Sequence, residues 1–524
     1  MVSAVPVSQI ILIIAAGLLA ARIGKHFRVP ESIPLMITGY ALGSGWLGFL
    51  KPEELGINLD FLALIAVPII LFYDGLKTEA RSLAENAGSV ISISTVAVFA
   101  TVAGIAFFSN LFLGLSWLSS FLLGAILAST DPAAILPVLR KLNIKKRIAT
   151  VLEAETALND GAAITIFTVV LGLAAGQEIG LRQGLQSFLY LAISSTLLGA
   201  MVGFAFFELF KRMKIEDDLL FASFVVLLTA YGVAEFFAAS AVITIVIAAL
   251  IFRAFVQSVF VTASNRIHTL SVWDDLNSLA ISAVFLVLGS QVKLHEVLPF
   301  LLVGVLISLA FMLVVRPITV YASMFFDKSF KLREKMTISW LGGPRGVVSA
   351  ALAGIVLARA SEGLMPAEEA KAIFNITIIV IVTTIGITSV SASKVAKYLL
   401  KIREDTIEDE YKRLSTELKT MMVASRRFRE EWKEGVVSTK IYDALNKEMT
   451  RQMRRIEKKL GEITKRAPLL ETKEIAVKAR EIILNQIAAL ENAYENKEIT
   501  EKEYSRLLNK FRAQIDTLGE IEKD

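Results

Sequence analysis

The stretch Glu153–Ala163, EAETALNDGAA, sits in the middle of an apolar run from about residue 148 to 175. It puts three ionisable groups, Glu153, Glu155 and Asp160, at a depth where the neighbouring residues suit hydrocarbon. A charge at the centre of a membrane helix costs about 3 kcal/mol, so such groups face a protein interior or a water-filled cavity. On a helix Thr156 and Asp160, four apart, share one face, and Glu155 and Asn159 share the adjoining one. A carboxylate flanked by a hydroxyl and an amide can hold a small dehydrated cation, or a proton.

The rest of the ionisable inventory narrows the chemistry. All three histidines, His26, His268 and His295, fall in loops or at the ends of apolar runs, which excludes an imidazole carrier inside a membrane. The candidate carboxylates are Asp74 (in FYDGL), Asp131, Glu153, Glu155, Asp160, Glu208 and Glu235. Glu208 and Glu235 lie near run ends, where snorkelling to the interface is expected. The deep bases are Arg316, in VVRPITVY, and Arg345. A guanidinium partner keeps a carboxylate charged, whereas a carboxyl without one is free to gain and lose a proton. Glu155 therefore reads as the structural member, paired with Arg345 or Arg316 and bonded to Asn159. Asp160 is left as the group that exchanges a proton for a cation.

Thirteen apolar spans must position these groups, at 5–23, 31–50, 59–76, 87–113, 116–139, 148–175, 183–210, 217–235, 238–257, 272–290, 296–323, 336–359 and 371–398. Apolar residues are 54% of the chain and charged ones 20%, with the charge concentrated after residue 398. This composition predicts an all-α polytopic protein embedded in membrane lipid, with a helical soluble tail. Nineteen Lys and Arg residues fall in the odd-numbered loops and five in the even-numbered ones. The positive-inside rule then puts the tail in the cytoplasm and the N-terminus outside the cell membrane. The first apolar run, Val5–Ala21, has no basic residue before it, so no cleavable leader is expected. The net charge of +5 calls for no nucleic-acid partner, because the basic residues concentrate in the loops of one side. Without cysteine there is no disulfide and no thiolate metal site.

Two spans are interrupted. The fifth contains Ser129-Thr130-Asp131-Pro132 and then Pro137; the twelfth contains Gly342-Gly343-Pro344-Arg345-Gly346. Proline lacks an amide donor and glycine weakens a helix, so both runs should unwind in mid-membrane. Taken as two six-span halves, 1–6 and 8–13, both interruptions fall in the fifth span of a half. That pattern points to an inverted-repeat transporter with its site at the midplane. Asp131 and Arg345 are placed to neutralise the half-helix ends.

The TDP of the fifth span, the ND pair of the sixth and the GGPRG of the twelfth resemble the monovalent cation:proton antiporter-1 family, the sodium/proton exchangers. The resemblance spans residues 5–398. It implies a fold of two inverted six-helix repeats with crossed broken helices, divided into a core unit and a dimerisation unit, and a homodimer. It also implies exchange of Na+ or Li+ for H+ by alternating access, with no cofactor. K+/H+ exchange on the same fold is the alternative. By the same resemblance Asp160 is the carrier, with Asn159 and Glu155 beside it and Arg345 as the GxRG-type arginine. Thr130, Asp131, Thr156 and Asp74 are further ligands of the transported cation. Asp74 stands where some prokaryotic relatives have Glu. An ND pair, in place of two aspartates, goes with electroneutral one-for-one exchange.

The tail, 399–524, has no such resemblance. Residues 399–465 and 472–520 show helical periodicity with interspersed charge, broken near Pro468, as expected of a hairpin or short coiled coil with a regulatory role. No GxGxxG fingerprint marks a nucleotide-binding domain. An intramembrane aspartyl protease would need a second Gly-x-Gly-Asp motif, but Ala157-Leu158-Asn159 precedes Asp160. A channel would need a selectivity-filter loop, and none is apparent.

Overall fold

A computed structural model describes residues 5–27, 29–51, 59–78, 83, 85–131, 144–174, 181–213, 218–258, 261–361, 363, 365–401, 407–433 and 439–466, with a few positions beyond, chiefly 504–510. Among them the elements are all helical. The chain separates into two compact units, Met1–Ile402 and Arg403–Asp524. The first begins with α1 (Val5–Phe27), α2 (Ser32–Leu42), α3 (Leu59–Lys77), α4 (Ala87–Leu113), α5 (Trp117–Ile126) and α6 (Lys146–Ala174). It continues with α7 (Leu181–Met213), α8 (Leu219–Phe236), α9 (Ala241–Val256) and α10 (Ala263–Ser290). It ends with α11 (Leu294–Ser323), α12 (Leu332–Leu341), α13 (Val347–Ser361) and α14 (Ala367–Leu400). Among the described residues seven helices are long and apolar enough to cross a membrane by length and composition, and five shorter apolar ones accompany them.

Local chemistry explains where helices stop. The second expected span, 31–50, is helical only to Leu42, because Gly43 and Gly48 redirect the chain and Gly48 takes a left-handed φ of 68°. Gly43 also lies so close to the Ser290 backbone that a Cβ would collide with it. The tenth span starts earlier than its apolar window, at Ala263, where Thr262 caps the helix by accepting from the Asn265 amide at 3.3 Å. Inside α11 the residues Phe311–Val315 form a π turn directly before Arg316-Pro317. Pro317 cannot donate to the preceding turn, so the wider turn falls where the α-helical ladder would break anyway.

Among the described residues two large interior clusters, with a third, smaller one between α4, α6, α11, α12 and α14, hold the first unit's helices together. One large cluster joins α1 to α7 with α10, α11, α13 and α14. The other centres on Trp273 of α10, fully buried against Phe72 and Phe224 at 4.7 and 5.0 Å between ring centroids, with its indole N–H donating to Ser223. Outward faces stay apolar, as on α7, where Leu197, Met201 and Phe204 are exposed; a lipid-facing surface requires this.

The twelfth span is interrupted as expected, and the described helix of the fifth span stops before Asp131. Helix α12 ends at Leu341 and α13 begins at Val347. Helix α5 ends at Ile126 and the chain is non-helical through Asp131; Pro132 and Pro137 lie outside the described residues. The two unwound stretches meet, since the Asp131 amide donates to the Pro344 carbonyl at 2.9 Å. In the second unit, α15 (Ile407–Lys433) and α16 (Thr439–Arg466) pair through Leu414, Ile456 and Ile463, and Trp432 stacks on Tyr442. Pro468 lies outside the described residues.

At Gly346 an added Cβ would overlap the Asp131 carboxylate, so no side chain fits where the two breaks touch. Gly346→Ala should lower stability by about 1–3 kcal/mol, the usual cost of overpacking, read as a lower melting temperature in detergent. A variant melting with wild type would show that the junction is looser than described.

Candidate functional site

A cavity of about 350 Å³ enters the first unit between α3, α6, α10 and the two breaks. At its mouth stand Lys77 and Asp274, with side chains 53% and 63% exposed; Asp160, 3% exposed, lines its inner part. Asp74, Thr130, Asp131, Thr156 and Asp160 all line this one space, together with Ser129 and Glu153. Helical spacing explains how α6 contributes: Thr156 and Asp160, one turn apart, face the cavity. Thr156 donates its hydroxyl proton to the Leu152 carbonyl at 3.0 Å, which leaves its oxygen lone pairs to the cavity.

Asp160 accepts a hydrogen bond of 2.5 Å from the Ser129 hydroxyl, a residue of the broken fifth span that the sequence reading had not placed in the site. Its position just before the TDP motif was the available signal. Asn159, fully buried, donates its amide to the Thr130 hydroxyl oxygen. This corrects the expectation that Asn159 bonds Glu155. The two share a helix face, but the amide finds a partner across the break instead.

Glu155 resolves the choice between two arginines. Arg316 Nη2 lies 2.6 Å from Glu155 Oε1, and both side chains are at most 3% exposed. Arg316 reaches this carboxylate across Gly342, where any Cβ would collide with the guanidinium. Arg345, equally buried, does something else: Nη1 donates to the Ser129 carbonyl at 3.1 Å and the guanidinium lies 3.9 Å over the Phe311 ring. Its backbone amide donates to the Thr384 hydroxyl at 3.3 Å, and Ser349 donates to the Ile126 carbonyl at 2.7 Å. The breaks therefore satisfy each other. The Ile126 carbonyl at the end of α5 receives Ser349 and the Ser129 carbonyl beyond it receives Arg345, while the Asp131 carboxylate sits against Gly346 at the positive start of α13.

Other expected residues lie apart. Glu208 is exposed and pairs with Arg212 one turn on at 2.8 Å. His26, His268 and His295 are exposed. Opposite α6 the cavity wall contains Tyr73, Asp274 and Asn277; Asp274 and Asn277 were not among the candidates from the sequence. Asp274 and Asn277 sit within the tenth apolar window, and that was the missed signal.

Interrupted helices meeting beside a buried carboxylate, in an apolar bundle, define a secondary transporter of ions and not an enzyme. The chain belongs to the sodium/hydrogen exchanger family, whose transmembrane profile matches residues 10–397. The Na(+)/H(+) antiporter NhaH of Halobacillus aidingensis is 28% identical over 359 residues, covering 66% of this chain and 87% of that protein. The K(+)/H(+) antiporter NhaP of Alkalimonas amylolytica is also 28% identical, over 398 residues, covering 74% of this chain and 64% of that protein. In fold, the chain resembles the sodium proton antiporter MjNhaP1 of Methanocaldococcus jannaschii solved at pH 8, with a TM-score of 0.67 and 22% identity. That likeness covers 76% of this chain and 98% of the other.

Removing one member of a buried ion pair strands the other charge, at a cost of about 3–5 kcal/mol. Arg316→Met should therefore melt well below wild type in detergent, and Glu155→Gln with Arg316→Met should recover part of the loss. Equal losses in the single and double variants would rule out the pairing.

Proposed function

We propose that this protein exchanges one sodium ion for one proton, the two competing for the Asp160 carboxylate. The observation that carries this reading is the placement of Asp160: buried, hydrogen-bonded by Ser129, and lining a cavity with Thr130, Asp131, Thr156 and Asp74. These supply carboxylate and hydroxyl oxygens, hard ligands suited to a small cation. Neutral Asp160 with its proton, and charged Asp160 with its cation, give the site the same net charge. Either form can cross; an empty, charged site is disfavoured in hydrocarbon by the cost of a bare charge. This makes exchange obligatory and electroneutral. Asn159, an amide, adds no second titrating group. Support also comes from the activities named for relatives, among which sodium/proton antiporters recur.

Alternating access, on this reading, moves a core unit containing the two breaks against a dimerisation unit, in a homodimer whose thirteen spans form two inverted repeats. The basic loops face the cytoplasm of a cell-membrane protein, so the cavity beside Lys77 is the cytoplasmic entry. Lithium fits the same oxygens. Potassium is the second reading, favoured by the similarity to a K(+)/H(+) antiporter.

In proteoliposomes, sodium added to wild type should dissipate a preset proton gradient with no response to an imposed membrane potential. Asp160→Asn should abolish the flux while the protein still melts cooperatively. Sodium-dependent proton flux surviving in Asp160→Asn would refute the assignment, and dissipation by potassium alone would select the second reading. Truncation after residue 400 removes no part of the site. The truncated protein should still exchange, with an altered pH profile or maximal rate. Loss of exchange at every pH in a truncated, folded protein would make the tail part of the machinery.

A further inference from the structure

Six charged residues line the cavity, and among the described residues five of them are carboxylates: Asp74, Asp131, Glu153, Asp160 and Asp274. The sixth, Lys77, is a cation on a path that a cation must travel. It is also held there. Its ammonium lies 4.0 Å from the centre of the Tyr73 ring and 3.4 Å from Asp274 Oδ1, and the Tyr73 hydroxyl donates to that same oxygen. Tyr73 is 2% exposed, so the ring and hydroxyl form a fixed base for both charges. The same three residues also line a second cavity of about 360 Å³, containing Arg253, whose guanidinium donates to the Leu76 carbonyl at 2.7 Å.

We infer that Lys77 and Asp274, mounted on Tyr73, form an opposed charge pair at the mouth that sets the apparent affinity for the incoming cation. The ammonium repels a cation approaching the inner carboxylates, and Asp274 cancels most of that repulsion. Because both side chains are more than half exposed, water and salt screen them, and each unit charge should change cation occupancy of the mouth a few-fold. The pair touches neither Asp160 nor the broken helices, so it should leave the transport step alone. Exposed pairs of this kind hold little of the fold together. The inference rests on Asp160 as the cation carrier.

The test is the sodium KM of exchange in everted and right-side-out membrane vesicles for Lys77→Gln, Asp274→Asn and the double variant, with Asp160→Asn as control. Lys77→Gln should lower KM about threefold and Asp274→Asn should raise it about threefold. The double variant should return close to wild type, all with maximal rates within about twofold. The shifts should appear in the vesicles that expose the Lys77 side and shrink when N-methylglucamine chloride raises the ionic strength. Shifts of the same sign, a fall in maximal rate at constant KM, or no shift in either orientation would overturn the inference. If Asp160→Asn is inactive and the KM values do not move, only the charge pair is refuted; if Asp160→Asn transports, the carrier assignment falls first.

Discussion

Backbone amides and carbonyls freed from a helix have no water to bond in hydrocarbon, and each one left unpaired costs several kcal/mol. Here two such stretches lie against one another. The amide of Asp131 bonds the Pro344 carbonyl, Arg345 takes the Ser129 carbonyl, and Asp131 rests on Gly346 at the start of α13. Ser129 and Thr130 are thereby held beside α6, where their hydroxyls meet Asp160 and Asn159. The two ligands proposed from the fifth span, Thr130 and Asp131, depend on that mutual satisfaction for their place beside Asp160.

Behind the cavity lies a second constraint. Glu155 and Arg316 are a buried pair, and such pairs seldom stabilise a fold more than apolar replacements would. What the pair does is fix charge. With Glu155 held by Arg316 and Arg345 engaged at Ser129 and Phe311, the carboxylates left facing the cavity are the ones an ion can reach. The α6 helix thus presents one face to the cargo and the adjoining face to its supports.

Much of this was legible in the sequence because membrane insertion makes polar residues conspicuous. Asp160, Glu155, Arg316 and Arg345 stood out against apolar neighbours, and Pro and Gly marked both breaks. What escaped was whatever depends on distance between helices. Periodicity groups Asn159 with Glu155 on one face; only the approach of the broken fifth span shows that Thr130 receives the amide instead. Arg316 and Arg345 were equivalent partners for Glu155 until the close passage at Gly342 separated them. Asp274 was missed near the start of an apolar window whose helix begins nine residues earlier. The short α2 reflects glycines whose effect depends on the Ser290 backbone they meet.

The π turn at Phe311–Val315 has a consequence for how this helix changes length. A π turn holds one residue more than an α turn, so it is equivalent to a single-residue insertion in an otherwise regular helix. Before it, Gly304 packs on Ile379 of α14; at its end, Val315 packs on Gly104 of α4 and Arg316 reaches Glu155. The turn rotates one packing face relative to the other by about a hundred degrees, the step of one helical residue. Deleting one residue there would tighten the turn to α geometry while each end keeps its own partners. A single-residue gap in an alignment of this helix therefore belongs at 311–315, and counting helical faces across that point in unbroken steps of 3.6 residues assigns Arg316 to the wrong side.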